Sequence, residues 1–130
     1  MAIDLGVQSP SSIVIPILNN RFHVIFSGRL VGRNNTPLLK GVGSNWNRGI
    51  FTFWVPTRFT HIEQITASAQ LASISNDRTA TNAGWAVDFI APKSNVVGTN
   101  RLIQIDVGLA VRDSDGFVNG IDYQINAVGT

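Results

Sequence analysis

The residues best suited to chemistry lie in Ser44-Asn45-Trp46-Asn47-Arg48. A loop tryptophan flanked by amides and a guanidinium can stack on the apolar face of a sugar while its neighbours bond hydroxyls. The competing reading is that Trp46 turns inward and plugs the core beneath its loop. Asn76-Asp77-Arg78 is a second polar loop of similar character. The candidate ligand-binding set is therefore Trp46, Asn45, Asn47, Arg48, Asn76, Asp77 and Arg78. His61 and Glu63 share one face if their segment is extended, but two ligands are one short of a metal site. The His-x-Glu of zinc deaminases also needs a cysteine pair, and this chain has no cysteine. Asp113-Ser-Asp-Gly116 opens like a calcium loop, yet the later oxygen ligands and the closing Glu are missing. Asp88, Asp106 and Asp122 would make glycosidase pairs only if their strand faces adjoined. Acids facing Arg58, Arg101 or Arg112 across a subunit boundary are the simpler reading. Gly41-Val-Gly43 lacks the rest of a phosphate loop, and no nucleophile elbow is present. The chain is expected to be no enzyme and to use no cofactor or metal.

Composition narrows the classes further. Charged residues are 14% of the chain, against about 25% in an average domain, while Asn and Gly each occur twelve times. Such a surface suits an oligomer, a particle-borne protein or a binder of neutral polar ligands. Eight of the ten basic residues are Arg, whose planar fork favours specific hydrogen bonding. A net charge of +2 is too weak a field for a nucleic-acid footprint. No apolar run reaches the length of a membrane span, and Met1-Ala-Ile-Asp-Leu-Gly does not open like a signal peptide. A cytoplasmic, particle-associated or non-classically exported protein is expected. Asn34-Asn35-Thr36 would be a glycosylation site only in a secreted eukaryotic protein.

The elements that must position these residues read as strands. Residues 1–12 form a short arm of the kind that pairs with a sheet edge. Ser12 to Leu18 is apolar and β-branched, but Pro16 confines it to an edge or a bulge. Arg21 to Val31 alternates, and Pro37 to Val42 holds a brief strand. In Ile50 to Val55, Phe51, Phe53 and Val55 point inward while Thr52 and Trp54 point outward. Trp54, cut off from that core, is expected at a subunit contact or a second packed face. Residues 59–75 fit a helix or a strand, and their Thr, Ser and Ile content favours strand. Trp85, Val87, Phe89 and Ala91 alternate with Ala86, Asp88 and Ile90, and residues 91–100 form a long connection. Arg101 to Val128 reads as two long strands joined at Asp113-Ser-Asp-Gly116 as a hairpin. Its second face, Gln104, Asp106, Asp122 and Gln124, is amide-rich and lacks Lys or Glu. With Trp54 it makes the expected interface. About seven strands in one domain, residues 1–130, predict an all-β antiparallel sandwich, in a jelly-roll-like variant at its most elaborate.

Residues 50–129 resemble the small β-sandwich of the H-type lectins. The pattern is Phe51 to Phe59 before a long strand, an alternating strand near Trp85, the Gly116-Phe117 turn, and a terminal Ile121-x-Tyr-x-Ile-x-Ala-Val-Gly129 strand. The resemblance implies a trimer or hexamer that binds sugars such as N-acetylgalactosamine near subunit boundaries. Tyr123 stands where those lectins tend to have Trp, and the family's sugar-binding positions do not map onto this chain. The expected function is thus a non-catalytic, homo-oligomeric, carbohydrate-binding module with a glycan or glycoprotein ligand. The alternative is a structural subunit of a particle, fibre, tail or capsid.

Overall fold

The computed structural model describes residues 2–76, 83–97, 100–113 and 116–130. Nine strands occur among them: β1 (Ala2–Val7), β2 (Ser11–Ile17), β3 (Arg21–Val31), β4 (Leu39–Lys40), β5 (Trp46–Thr57), β6 (Ile62–Asn76), β7 (Gly84–Val97), β8 (Asn100–Arg112) and β9 (Gly116–Gly129). A single 3-10 turn, Arg33–Asn35, interrupts them, with Asn34 in the left-handed region at φ 55°. The strands form two sheets. The first has the order β1-β5-β8-β7. In the second, β9 lies between β3 and β6, with β2 beyond β3 and the short β4 continuing along β9. The architecture is an all-β sandwich, with nine strands rather than seven. No helix of the described residues is long and apolar enough to cross a membrane.

The 101–128 stretch corrects the hairpin expectation. β8 pairs with β5 and β7 in the first sheet, whereas β9 pairs with β3 and β6 in the second. The chain therefore changes sheet between the end of β8 at Arg112 and the start of β9 at Gly116. Asp113 takes φ 83°, and the Gly116 N–H donates to the Asp113 carbonyl at 3.1 Å. Compact turn chemistry serves a hairpin and an arch alike, so it could not decide between them. Burial decides. Side by side, the two apolar rows would need a further layer to cover them. Face to face, they cover each other.

Ile103, Ile105, Val107, Leu109 and Val111 are fully buried, as are Val118, Ile121, Ile125 and Ala127. Full burial of such a side chain is worth roughly 1.5–3 kcal/mol, so these rows dominate the core. Phe51, Phe53 and Val55 complete it from β5, and Val24, Phe26 and Leu30 from β3. β6 and β7 contribute half-buried residues, including Ile65, Leu71, Trp85 and Val87. The order of crossings, β3 to β5 to β6 to β7, then β8 and β9 inserted into the middle of each sheet, is jelly-roll-like.

Two other expectations hold and one shifts. Within 59–75 the strand alternative is the one adopted, as β6 over Ile62–Asn76. The expected long connection over 91–100 gives way to strand among its described residues, because β7 continues to Val97 and pairs there with Asn100 of β8. The N-terminal arm pairs with its own chain, parallel to β5.

Tyr123 lies in the core, its ring 4.7 Å from that of Phe53 and packed over Gly28, where a Cβ would meet the phenol oxygen at 2.5 Å. Burial raises the Tyr123 pKa above its ordinary 10.0. The unfolded chain therefore loses this proton first. The corresponding stability is whole below the unfolded value and is lost as pH rises through the higher folded one. Because Tyr123 is the only tyrosine, tyrosinate absorbance reads it directly. An alkaline titration should rise later in the native than in the denatured protein. Coincident curves would contradict the buried position.

Candidate functional site

Among the described residues, the outer face of the first sheet gathers a large share of the chemistry-bearing side chains. Phe51, Phe53 and Val55 fill the core, so Trp46, Arg48, Ile50, Thr52 and Trp54 point outward from β5. Strand register sets Arg112, Ala110, Gly108, Asp106 and Gln104 of β8 opposite them. Gly84, Ala86, Phe89, Ala91 and Lys93 of β7 flank these on the far side. Five cross-strand rows result, with small residues at Ala110 and Gly108 in the middle of the central strand.

At one end the Arg112 guanidinium sits 4.8 Å from the centre of the Trp46 ring. The ring edge reaches Gly84, where a Cβ would lie 2.8 Å from it. Trp46 thus belongs to a strand rather than to a loop and is still 39% exposed. The plug alternative does not hold. Next, Arg48 Nη1 donates to Asp88 Oδ2 at 2.6 Å, reaching from β5 to β7 across Ala110 of β8. In the third row the Phe89 ring covers Gly108, leaving no room for a side chain there. Phe89 remains 42% exposed and Ile50 39%. In the fourth, Asp106 Oδ1 accepts hydrogen bonds from the Thr52 hydroxyl at 2.7 Å and the Gln104 amide at 3.2 Å. Lys93 Nζ lies 3.8 Å from its other oxygen.

Simple alternation sets Phe89 and Ala91 on the same face as Trp85 and Val87. A β-bulge between Val87 and Phe89 reverses the alternation. One extra residue turns Phe89 and Ala91 outward, leaving Val87 and Ile90 packed against the core. The sequence held one signal for this: Gly108, a glycine inside a strong strand pattern, which marks a bulge or a close approach. Ile50 carries no comparable signal, because it lies at the start of an obviously buried run.

The remaining candidates scatter. Asn45 is exposed and bridges to Val42 in the turn before β5. Asn47 points away from this face, its amide donating to the Lys40 carbonyl at 2.7 Å. Asn76 ends β6 in the second sheet, paired with Gly116. Asp77 and Arg78 lie outside the described residues. Of the expected interface, Trp54, Gln104 and Asp106 share the first sheet's outer face. Asp122 and Gln124 are on the second sheet, so the five residues do not form a single surface. Asp122 there accepts from Arg29 at 2.9 Å. Gln124, Ser27, Ser68 and Gln70 line a polar hollow of about 510 Å³ beside it. His23 Nε2 is 3.0 Å from the Asn126 amide oxygen. Glu63 is bound to Arg21 at 2.7 Å rather than to His61. Asp88 and Asp106 share a face that Asp122 does not.

No family model, no curated protein and no solved structure matches this chain.

The Asp106 cluster should show in stability. Thr52 is only 7% exposed, and its hydroxyl donates to a carboxylate. Thr52→Val should therefore cost about 1.5–3 kcal/mol by denaturant unfolding. Lys93, long-range and 62% exposed at its side chain, should cost less than about 0.5 kcal/mol on Lys93→Ala. Equal losses would contradict this ordering.

Proposed function

We propose that the outer face of the first sheet binds carbohydrate, making the chain a non-catalytic lectin-like module. The observation that carries the reading is Phe89, half-exposed and supported from beneath by Gly108, between Ile50 and two polar clusters. A sugar ring has an apolar C–H face and a rim of hydroxyls. An aromatic platform takes the first, and Arg48–Asp88 and Asp106–Gln104 offer donors and acceptors to the second. Arg48, Arg112 and Lys93 face Asp88 and Asp106, so the face carries little net charge and suits a neutral ligand. The resemblance of residues 50–129 to H-type lectins, spanning β5 to β9, supports the same reading. A glycan array at high protein concentration tests it. Phe89→Ala and Trp46→Ala should each weaken glycan retention roughly tenfold, about 1.4 kcal/mol, with the native strand circular dichroism retained. Retention of no glycan, or indifference to both substitutions, would defeat the proposal.

One observation favours a second reading, a structural subunit of a particle, fibre, tail or capsid. β2 exposes aliphatic side chains on both of its faces. Electron microscopy of the purified protein separates the two readings. A closed trimer or hexamer favours the lectin, whereas shells or filaments favour the structural subunit.

A further inference from the structure

Ile13, Val14, Ile15, Ile17 and Leu18 are between 39% and 82% exposed, within six consecutive positions. Monomers seldom leave contiguous apolar patches beyond a few hundred Å² uncovered. The residues occupy both faces of β2. Ser12, Val14 and Pro16 pair with Phe26, Val24 and Phe22 of β3, and so lie on the core side. There a groove of about 1000 Å³ opens, lined by Val14, Pro16, Phe22, Val24, Phe26 and Phe59. Ile13, Ile15 and Ile17 lie on the opposite side. Among the described residues β2 pairs with β3 alone, so its far edge is free.

We propose that a second copy of this chain occupies that edge, with the two β2 strands pairing antiparallel about a twofold axis through Val14. Only a strand added in the plane of the sheet covers both faces of β2 at once. The added strand must itself be apolar on both faces and unpaired along one edge, which describes β2. Charge points the same way. Edge strands are commonly guarded by charged side chains, and β1 carries Asp4, β6 Glu63, and β7 Asp88 and Lys93. Ser11–Asn20 carries no charge.

Pro16 sets the register. A proline sits in an edge strand with its nitrogen turned to the open side, so the N–H groups of Ser12 and Val14 point there too. Centring on Val14 lets the two Val14 residues exchange N–H to carbonyl bonds. Each Ser12 N–H then reaches the partner's Pro16 carbonyl, and only the Ser12 carbonyl is left without a donor. Ile13 faces the partner's Ile15 on the outer side. Centring on Pro16 instead would place two donorless residues at the axis.

This inference deepens the assembly reading and is independent of glycan binding. Sedimentation equilibrium across a wide concentration range tests it, with Ile13→Glu and Ile15→Lys made separately. Both positions are exposed, so the strand circular dichroism should not change. The wild type should form a dimer or an assembly built from dimers. Each variant alone should dissociate about tenfold or more readily. Mixing the two variants should restore association, because the new carboxylate and ammonium then face each other across the axis. A wild type that associates equally well with or without either substitution overturns the β2 contact and leaves self-assembly standing. A wild type that is monomeric throughout overturns both.

Discussion

Two rows of branched aliphatic side chains, one on β8 and one on β9, face each other across the sandwich and exclude water completely. Each belongs to the central strand of its sheet, so its backbone groups are bonded on both sides. β5 and β7 satisfy β8, and β3 and β6 satisfy β9. The four flanking strands are ordered by a ladder that residues 100–129 supply. Because these residues follow the other strands in sequence, those strands have neither a central partner nor an opposing core until residues 100–129 are in place. Such non-local pairing makes for slow folding.

This constraint explains what the sequence could disclose. Alternation was strongest at 101–128 because those strands are central and buried on one side along their whole length. The inward set of β5 was legible for the same reason. Whether β8 and β9 pair or oppose was not legible, since a turn of the Asp113-to-Gly116 type ends a strand without specifying the direction of the next. The bulge at Val87–Phe89 was hidden because either alternation of that segment buries apolar residues. Gly108, which Phe89 covers, is the residue that distinguishes them, and it does so only once β7 and β8 are known to pair.

The arch also separates two surfaces that the sequence had merged. The first sheet turns outward an aromatic face crossed by ion pairs, with Phe89 and Trp46 still accessible. The second sheet turns out the shallow, polar region around Gln124 and Asp122. Beyond both lies β2, where apolar residues gain little from the monomer. A proposed ligand face on one sheet and a proposed self-contact at the edge of the other are compatible within one molecule. Joining subunits through β2 would leave the first sheet's rows free, and binding there need not compete with assembly.

All of this depends on β8 lying between β5 and β7 rather than beside β9. Interstrand Hα and amide contacts in solution NMR report that arrangement directly. Val107 should show backbone contacts to Phe51 and to Ile90, and Ile125 to Phe26 and Ala67, with no backbone ladder between β8 and β9. A ladder linking residues 103–112 to 116–125 would contradict the account, because the five-row face built by β5, β8 and β7 would then not exist.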